Sequence, residues 1–244
     1  MNRLPLQDRL DTAALLFDVV KPQRLYNPAS KNGAVVGDSG THLQGYAIRL
    51  SRTTPAQPKP VAHRVLVSNQ LHGQVLIETI KPTLLLVPSA KCVDRGATLC
   101  PSPLPAPDPA SHDLDHYKCY TVKAPKGAPA FPPLARVSVQ DQFLSAPRLF
   151  DLKKPTLLCA PVDKNGEGLK DHETHLMCYK ATLSPRQSRL PTTPGVHVSD
   201  QFGARTVNAA QTSELCVPSQ GTLAEAVSVV TGIDHLDAGD GADE

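Results

Sequence analysis

Two histidine clusters in this 244-residue chain have the residue types and spacing of a metal site. His112-x3-His116 and His172-x2-His175 each offer two imidazoles close together, with Asp113, Asp115, Asp171 and Glu173 as neighbouring oxygen donors. Histidine nitrogen with carboxylate oxygen is a donor set that zinc accepts. A hydrolase built on 112–116 and 171–175 would therefore be metal-dependent. A third stretch, Asp163-Lys164-Asn165-Gly166-Glu167-Gly168, alternates oxygens like the start of a calcium loop, but Thr174 stands where such a loop needs a bidentate Glu. An Asn-Gly turn is the simpler reading. No phosphate loop, dinucleotide fingerprint or activated Cys–His pair is present, so no cofactor is expected.

What positions these residues is a duplication. Shifting the chain by 133 residues lays 3–50 on 136–183 without a gap, and 20 of the 48 positions are identical. They include Arg3/Arg136, Asp8/Asp141, Phe17/Phe150, Asp18/Asp151, Lys21-Pro22/Lys154-Pro155 and Lys31-Asn32-Gly33/Lys164-Asn165-Gly166. Within each half a shorter, more diverged repeat recurs. Its first element reads His-x-x-Cys-Tyr at 116–120 and 175–179, and His-x-x-Gly-Tyr at 42–46. Its second is Val-x-Val-x-Asp-Gln-Phe at 137–143 and 196–202, with relatives at 65–71 and 4–10. Its third is Lys-Pro-x-Leu-Leu-x-x-Pro at 81–88 and 154–161, with relatives at 21–28 and 214–218. The histidines at 42, 116, 175 and 235 set a unit of about 60 residues once the insertion at 92–110 is removed. His116 and His175 are repeat positions shared with His42, whose unit lacks the second histidine, so backbone-bonding structural histidines are the better expectation than metal ligands.

The same logic weakens a serine nucleophile in Gly37-Asp38-Ser39-Gly40. The first histidine of the chain, His42, follows the serine, and the matching loop Lys170-Asp171-His172-Glu173 has no serine. Asp8, Asn69, Asp141 and Asp200 occupy one repeat position, suited to a side-chain cap on a strand-to-loop turn.

Cysteine pairing follows from the repeats as well. Cys119 and Cys159 occur together in one unit, Cys178 and Cys216 together in the next, and the unit at 41–90 has Gly45 and Leu86 in the two places. Joint presence and joint absence predict Cys119–Cys159 and Cys178–Cys216, leaving Cys92 with Cys100 inside the insertion. The run HYKCY…VSVQDQF…KKPTLLCAPVDKNG followed by HLMCY…VHVSDQF…LCVPS resembles a tandem repeat domain of unknown function found in predicted secreted bacterial proteins. The resemblance covers most of 41–220 and is strongest over 113–220. It implies an exported, Cys-containing β module and brings no known reaction or ligand.

The elements themselves read as strands. Val137/Val139, Val65/Val67 and Val196/Val198 alternate with polar residues at period two. With 24 Pro, about twice the usual share of ~5%, long helices are excluded; only 222–231 has helical character. The expected fold is all-β: tandem repeats of about four strands, paired into two β-sandwich or irregular barrel domains. The first pair spans 1–100, a Pro-rich linker 101–112, the second pair 113–220, and an acidic tail 221–244. A net charge of +2 without a Lys/Arg run argues against nucleic acid, and no apolar stretch is long enough to span a bilayer. The function expected is a non-catalytic exported structural or binding module, its partner an unknown ligand or cell-surface component; the alternative is the metal-dependent hydrolase above. Specificity is expected in loops 51–62, 92–112 and 184–195. The Cys pairs place the protein outside the cytoplasm, although 1–12 has charges where a signal peptide is apolar. The first unit starts at its second element, which predicts a bare sheet edge on that strand. Either a late start of the reading frame or closure by Ile233-Asp234-His235-Leu236 would explain the gap.

Overall fold

The computed structural model describes residues 3–94 and 99–224. Among these, fourteen strands follow one another with a single 3-10 turn at Pro109–Ser111. They are β1 (Leu4–Gln7), β2 (Leu15–Tyr26), β3 (Ser30–Lys31), β4 (His42–Leu50), β5 (Arg64–Asn69), β6 (Gln74–Val93) and β7 (Tyr117–Lys123) in the first part. The rest are β8 (Leu134–Gln140), β9 (Arg148–Pro161), β10 (Asp163–Lys164), β11 (Thr174–Leu183), β12 (Thr193–Asp200), β13 (Gly203–Ala209) and β14 (Glu214–Leu223). No α-helix occurs among the described residues. The tail from 225, with most of the helical stretch 222–231 and all of 233–236, lies outside them; 222–223 belong to β14.

All fourteen strands join one sheet. Six of them close a barrel in the order β5–β6–β7–β9–β11–β14 and back to β5. Inside it Val65, Val67, Ile77, Tyr120, Leu158, Met177 and Val217 form one core. A second core gathers Leu4, Leu6, Phe17, Tyr46, Ile48, Leu85 and Val87, under β1, β2, β4 and the far half of β6. The third lies on the opposite face of β6 and β7, where Leu84, Leu86, Cys119, Leu157, Cys159 and Cys178 meet. Adjacent residues of one strand thus feed different cores, as strict alternation requires.

The expected separation at 101–112 is not a boundary of this sheet. β5 and β6 of the first half pair with β14 and β7 of the second, and β1 and β3 pair with β10 and β8. A stretch of about 60 residues buries too little alone, and here strands of each half find partners in the other half. The Lys-Pro dipeptides make this possible. Register shifts fall at Val19/Lys21 in β2, at Thr79/Lys81 in β6, and opposite Pro155 in β9. Proline has no N–H for the ladder, so the strand bulges and bends there. One long strand then serves two parts of the sheet.

Identities between the halves acquire physical reasons. Arg3 and Arg136 both have positive φ (59° and 57°), and their N–H groups donate to Asp18 and Asp151 at 3.1 and 3.0 Å. Asn32-Gly33 and Asn165-Gly166 turn in the left-handed region, with φ of 51°, 82°, 59° and 76°, which Asn and Gly tolerate best. Contrary to what its sequence position suggests, the first strand's edge is not bare but covered by β10. Leu6 and Gln7 of β1 are paired with Lys164 and Asp163 of β10, because the second Asn-Gly hairpin reaches across.

Candidate functional site

Strand order on the third core is β2–β4–β6–β7–β9–β11–β14. The two end strands face each other without a described ladder between them. Their side chains meet instead. Glu214 of β14 is only 7% exposed and receives the Arg24 guanidinium, the Tyr26 hydroxyl at 3.0 Å and the Thr156 hydroxyl at 3.0 Å. Burial, followed by the Glu214 carboxylate, pushes the Tyr26 phenol above its usual range, so it stays a donor. The Arg24 side chain is itself 39% exposed, so the pair is partly screened and ties the two strands together more than it adds stability.

A cavity of about 700 Å³ opens along this seam, lined by Arg24, Tyr26, Glu214, Cys216, Asp141 and Leu190 among others. Residues of β2 and β14 line two of its sides, with parts of 139–144, 190–193 and 207–213 around them. Gln44, buried at 2%, also lines it; its amide donates to the Arg24 carbonyl at 2.7 Å, and its oxygen has no partner among the described residues. The seam escaped sequence reading because Arg24 and Glu214 occupy positions where sister units carry leucine, Leu84 and Leu157. Their departure from that pattern is the signal that could have found it.

The sulfurs stand at bonding distance in three pairs: Cys92–Cys100 at 2.07 Å, Cys119–Cys159 at 2.05 Å and Cys178–Cys216 at 2.02 Å. The last two join directly opposed residues of neighbouring strands. In the third such place Gly45 faces Leu86, and a Cβ on Gly45 would lie 3.2–3.3 Å from Leu84, Leu86 and Tyr26. The leucine has grown into the space the disulfide would take.

The histidines do not converge. His42 and His175 each donate Nδ1–H to the carbonyl two residues back, at 2.9 Å. His116 is half-buried, and Gln201 donates to its Nε2. Burial, with Lys164 next, drives its pKa down to about 3. His112 accepts the Leu114 N–H at 3.2 Å, and His172 is exposed. Among the described residues, the groups of three metal-ligating side chains within 4.8 Å are Asp94–Cys100–His197 and Cys178–Glu214–Cys216, each containing bonded sulfurs. Ser39 lies in a turn whose Gly40 and Thr41 N–H groups are capped by Asp38, and its carbonyl accepts Gln142. Asp163 caps Gly168 N–H at 3.1 Å, a turn contact.

Of the three loops expected to carry specificity, 184–195 supplies Leu190, Pro191 and Thr193 to the seam cavity. Loop 51–62 instead latches the strand beside it: Gln57 bonds both the N–H and the carbonyl of Leu16 at 2.8 Å, as Gln187 does for Leu149. The repeated Asp position caps turns as its chemistry suggests, with Leu10, Leu71, Phe143 and Phe202 N–H groups held at 2.7–2.9 Å. The other oxygen or amide of that side chain reaches a tyrosine of a distant first element. Tyr120 pairs with Asp8, Tyr179 with Asn69, and Tyr46 with Asp200.

Residues 42–218 match a family described as a repeat of unknown function (DUF7450). The chain belongs to this family. The match runs from the histidine of β4 to the last proline of β14, so it contains the three first elements and both cross-strand disulfides. No curated protein and no solved structure matches the chain.

Proposed function

We propose that this DUF7450 chain is a non-catalytic binding or structural module that works outside the cytoplasm, at or near a cell surface. The observation that carries this reading is the seam. Its polar groups, Arg24, Tyr26, Glu214 and Thr156, bond one another, and β2 and β14, which line it, have no described ladder between them, leaving room for a ligand. None of these groups forms a nucleophile–base pair. Three Cys pairs at bonding distance fit an oxidising compartment, and we read the four sets of elements as four units of one repeat. No described helix is long and apolar enough to cross a membrane. Export is tested by thiol labelling: protein made in the periplasm should have no free thiol, whereas protein made in a reducing cytoplasm should have six. Metal analysis after dialysis tests the non-catalytic reading. The expected result is substoichiometric zinc; one zinc per chain, with hydrolytic activity lost on its removal, would favour the hydrolase centred on 112–116 and 171–175.

A further inference from the structure

We propose that the seam between β2 and β14 accepts one extended strand from another polypeptide, carrying the repeat's own first element, His-x-x-small-Tyr. The inference rests on reading the seam as a binding site and names its ligand class. Three observations support it.

The first is the ladder. Leu84–Leu86 in β6 is hydrogen-bonded to β4 on one side and β7 on the other, and Leu157–Cys159 in β9 lies between β7 and β11. Among the described residues, Glu214–Pro218 in β14 is paired with β11 alone, and Asp18–Tyr26 in β2 with β4 alone. The two unpaired edges are those of the third element, which elsewhere is flanked by first-element strands. A strand placed between them needs two ladder spacings, about 10 Å, a gap that facing Arg and Glu side chains can bridge from beneath. Exposed edges of this kind are templates for strand addition.

The second is a set of side chains whose sister residues have partners. His42 bonds Gln142, and His116 bonds Gln201, each the glutamine of the next unit's turn. At the corresponding place after His175 stands Arg9, which pairs with Glu173. One step further is Gln70, which lines the seam and whose side chain is bonded to no described residue. Likewise Asp8, Asn69 and Asp200 each hold a first-element tyrosine, but the fourth, Asp141, which caps the Phe143 N–H with one oxygen, gives the other to the Asn27 amide at 3.2 Å instead of a tyrosine and lines the same cavity. The vacancy therefore offers a carboxylate to a tyrosine hydroxyl and an amide to an imidazole, in the spacing of His-x-x-small-Tyr. The small residue would sit opposite Tyr26 and Glu214, the places of Cys216 and Leu157 around Cys178.

The third is that this chain's in-phase copy is a poor match. Residues 235–239 read His-Leu-Asp-Ala-Gly, with glycine where Asp141 requires a tyrosine. A donor from another polypeptide is thus favoured over the tail.

The test uses the full chain and a synthetic peptide of residues 173–183 with Cys178→Ala, followed by calorimetry and by amide exchange. Expected are saturable one-to-one binding, new protection at 23–26 and 214–217, and at least about tenfold weaker binding when the peptide carries Tyr179→Phe, since the bond to a carboxylate is lost. Because that change is in the peptide, protein folding is not at issue. Equal affinity of the Phe peptide, or no binding by the full chain and by the chain ending at Ala224, overturns the proposal. Binding only after removal of 225–244 also overturns it, and assigns the place to the chain's own tail. A metal-free protein that binds no peptide refutes only the strand; stoichiometric catalytic zinc refutes the functional reading beneath it.

Discussion

Lys118 has no exposed surface, yet its ammonium lies against Asp11 and 3.4 Å from Asp8, with Phe17 and Tyr120 rings 5.6 and 5.5 Å away. Tyr120 donates to the same Asp8 carboxylate at 2.9 Å. Truncating one partner of such a buried pair strands a charge, at a cost of about 3–5 kcal/mol. Lys118→Ala is therefore expected to lower unfolding free energy by that amount in urea titrations, and the double change with Asp8→Asn by much less than the sum of the singles. His116 carries a pH prediction. The unfolded chain takes up a proton near the ordinary histidine pKa, about 6.5, but the native imidazole refuses it until about 3. Stability present above pH 6.5 is thus lost as pH falls toward 3. His42, His72 and His112, whose pKa values burial also lowers, act in the same direction, while Asp8, raised by burial, acts oppositely as pH rises through the carboxylate range. Melting temperatures measured from pH 7.5 to 4 should fall monotonically, and His116→Gln should flatten the slope below pH 6.5. At this scale the turn-capping role of Asp8, Asn69, Asp141 and Asp200 was legible from side-chain chemistry. Their tyrosine partners were not, because those bonds span 112, 110 and 154 residues.

Elements were legible where a local rule decides them. Period-two valines became β5, β8 and β12, and Asn-Gly became two left-handed turns. The Lys-Pro repeat was visible as a pattern, but its meaning as a bulge needed the neighbouring strand against which register is counted. The Gly45/Leu86 pair shows how a unit can dispense with a disulfide: a leucine side chain fills the space across from a residue with none. Gly45→Ala alone should overpack that place and cost about 1–3 kcal/mol. Gly45→Cys with Leu86→Cys should oxidise to a fourth bridge, detectable as a linked peptide in a non-reduced digest. Replacing Cys119 and Cys159 together by Ala removes a 40-residue closure, worth about 4 kcal/mol in the loop-entropy account. The denaturation midpoint should drop accordingly.

For the molecule as a whole, the duplicated sequence predicts an all-β chain but not how its strands are shared. An ungapped 133-residue shift is compatible with two separate sandwiches, and the Pro-rich 101–109 reads as their linker. The choice is made by long-range pairing that no local signal encodes: β5 with β14, β1 with β10, β3 with β8. The seam has the same origin, since it exists only where the ends of the strand order come together. The central claim is this interleaving, and differential scanning calorimetry of the oxidised chain tests it most directly. One transition is predicted, with calorimetric and van't Hoff enthalpies equal, because the barrel core takes Val65, Val67 and Ile77 from the first half and Tyr120, Leu158, Met177 and Val217 from the second, and neither half keeps that core when the other melts. Two transitions that separate at residue 101–112, each reproduced by the corresponding half expressed alone, would contradict it.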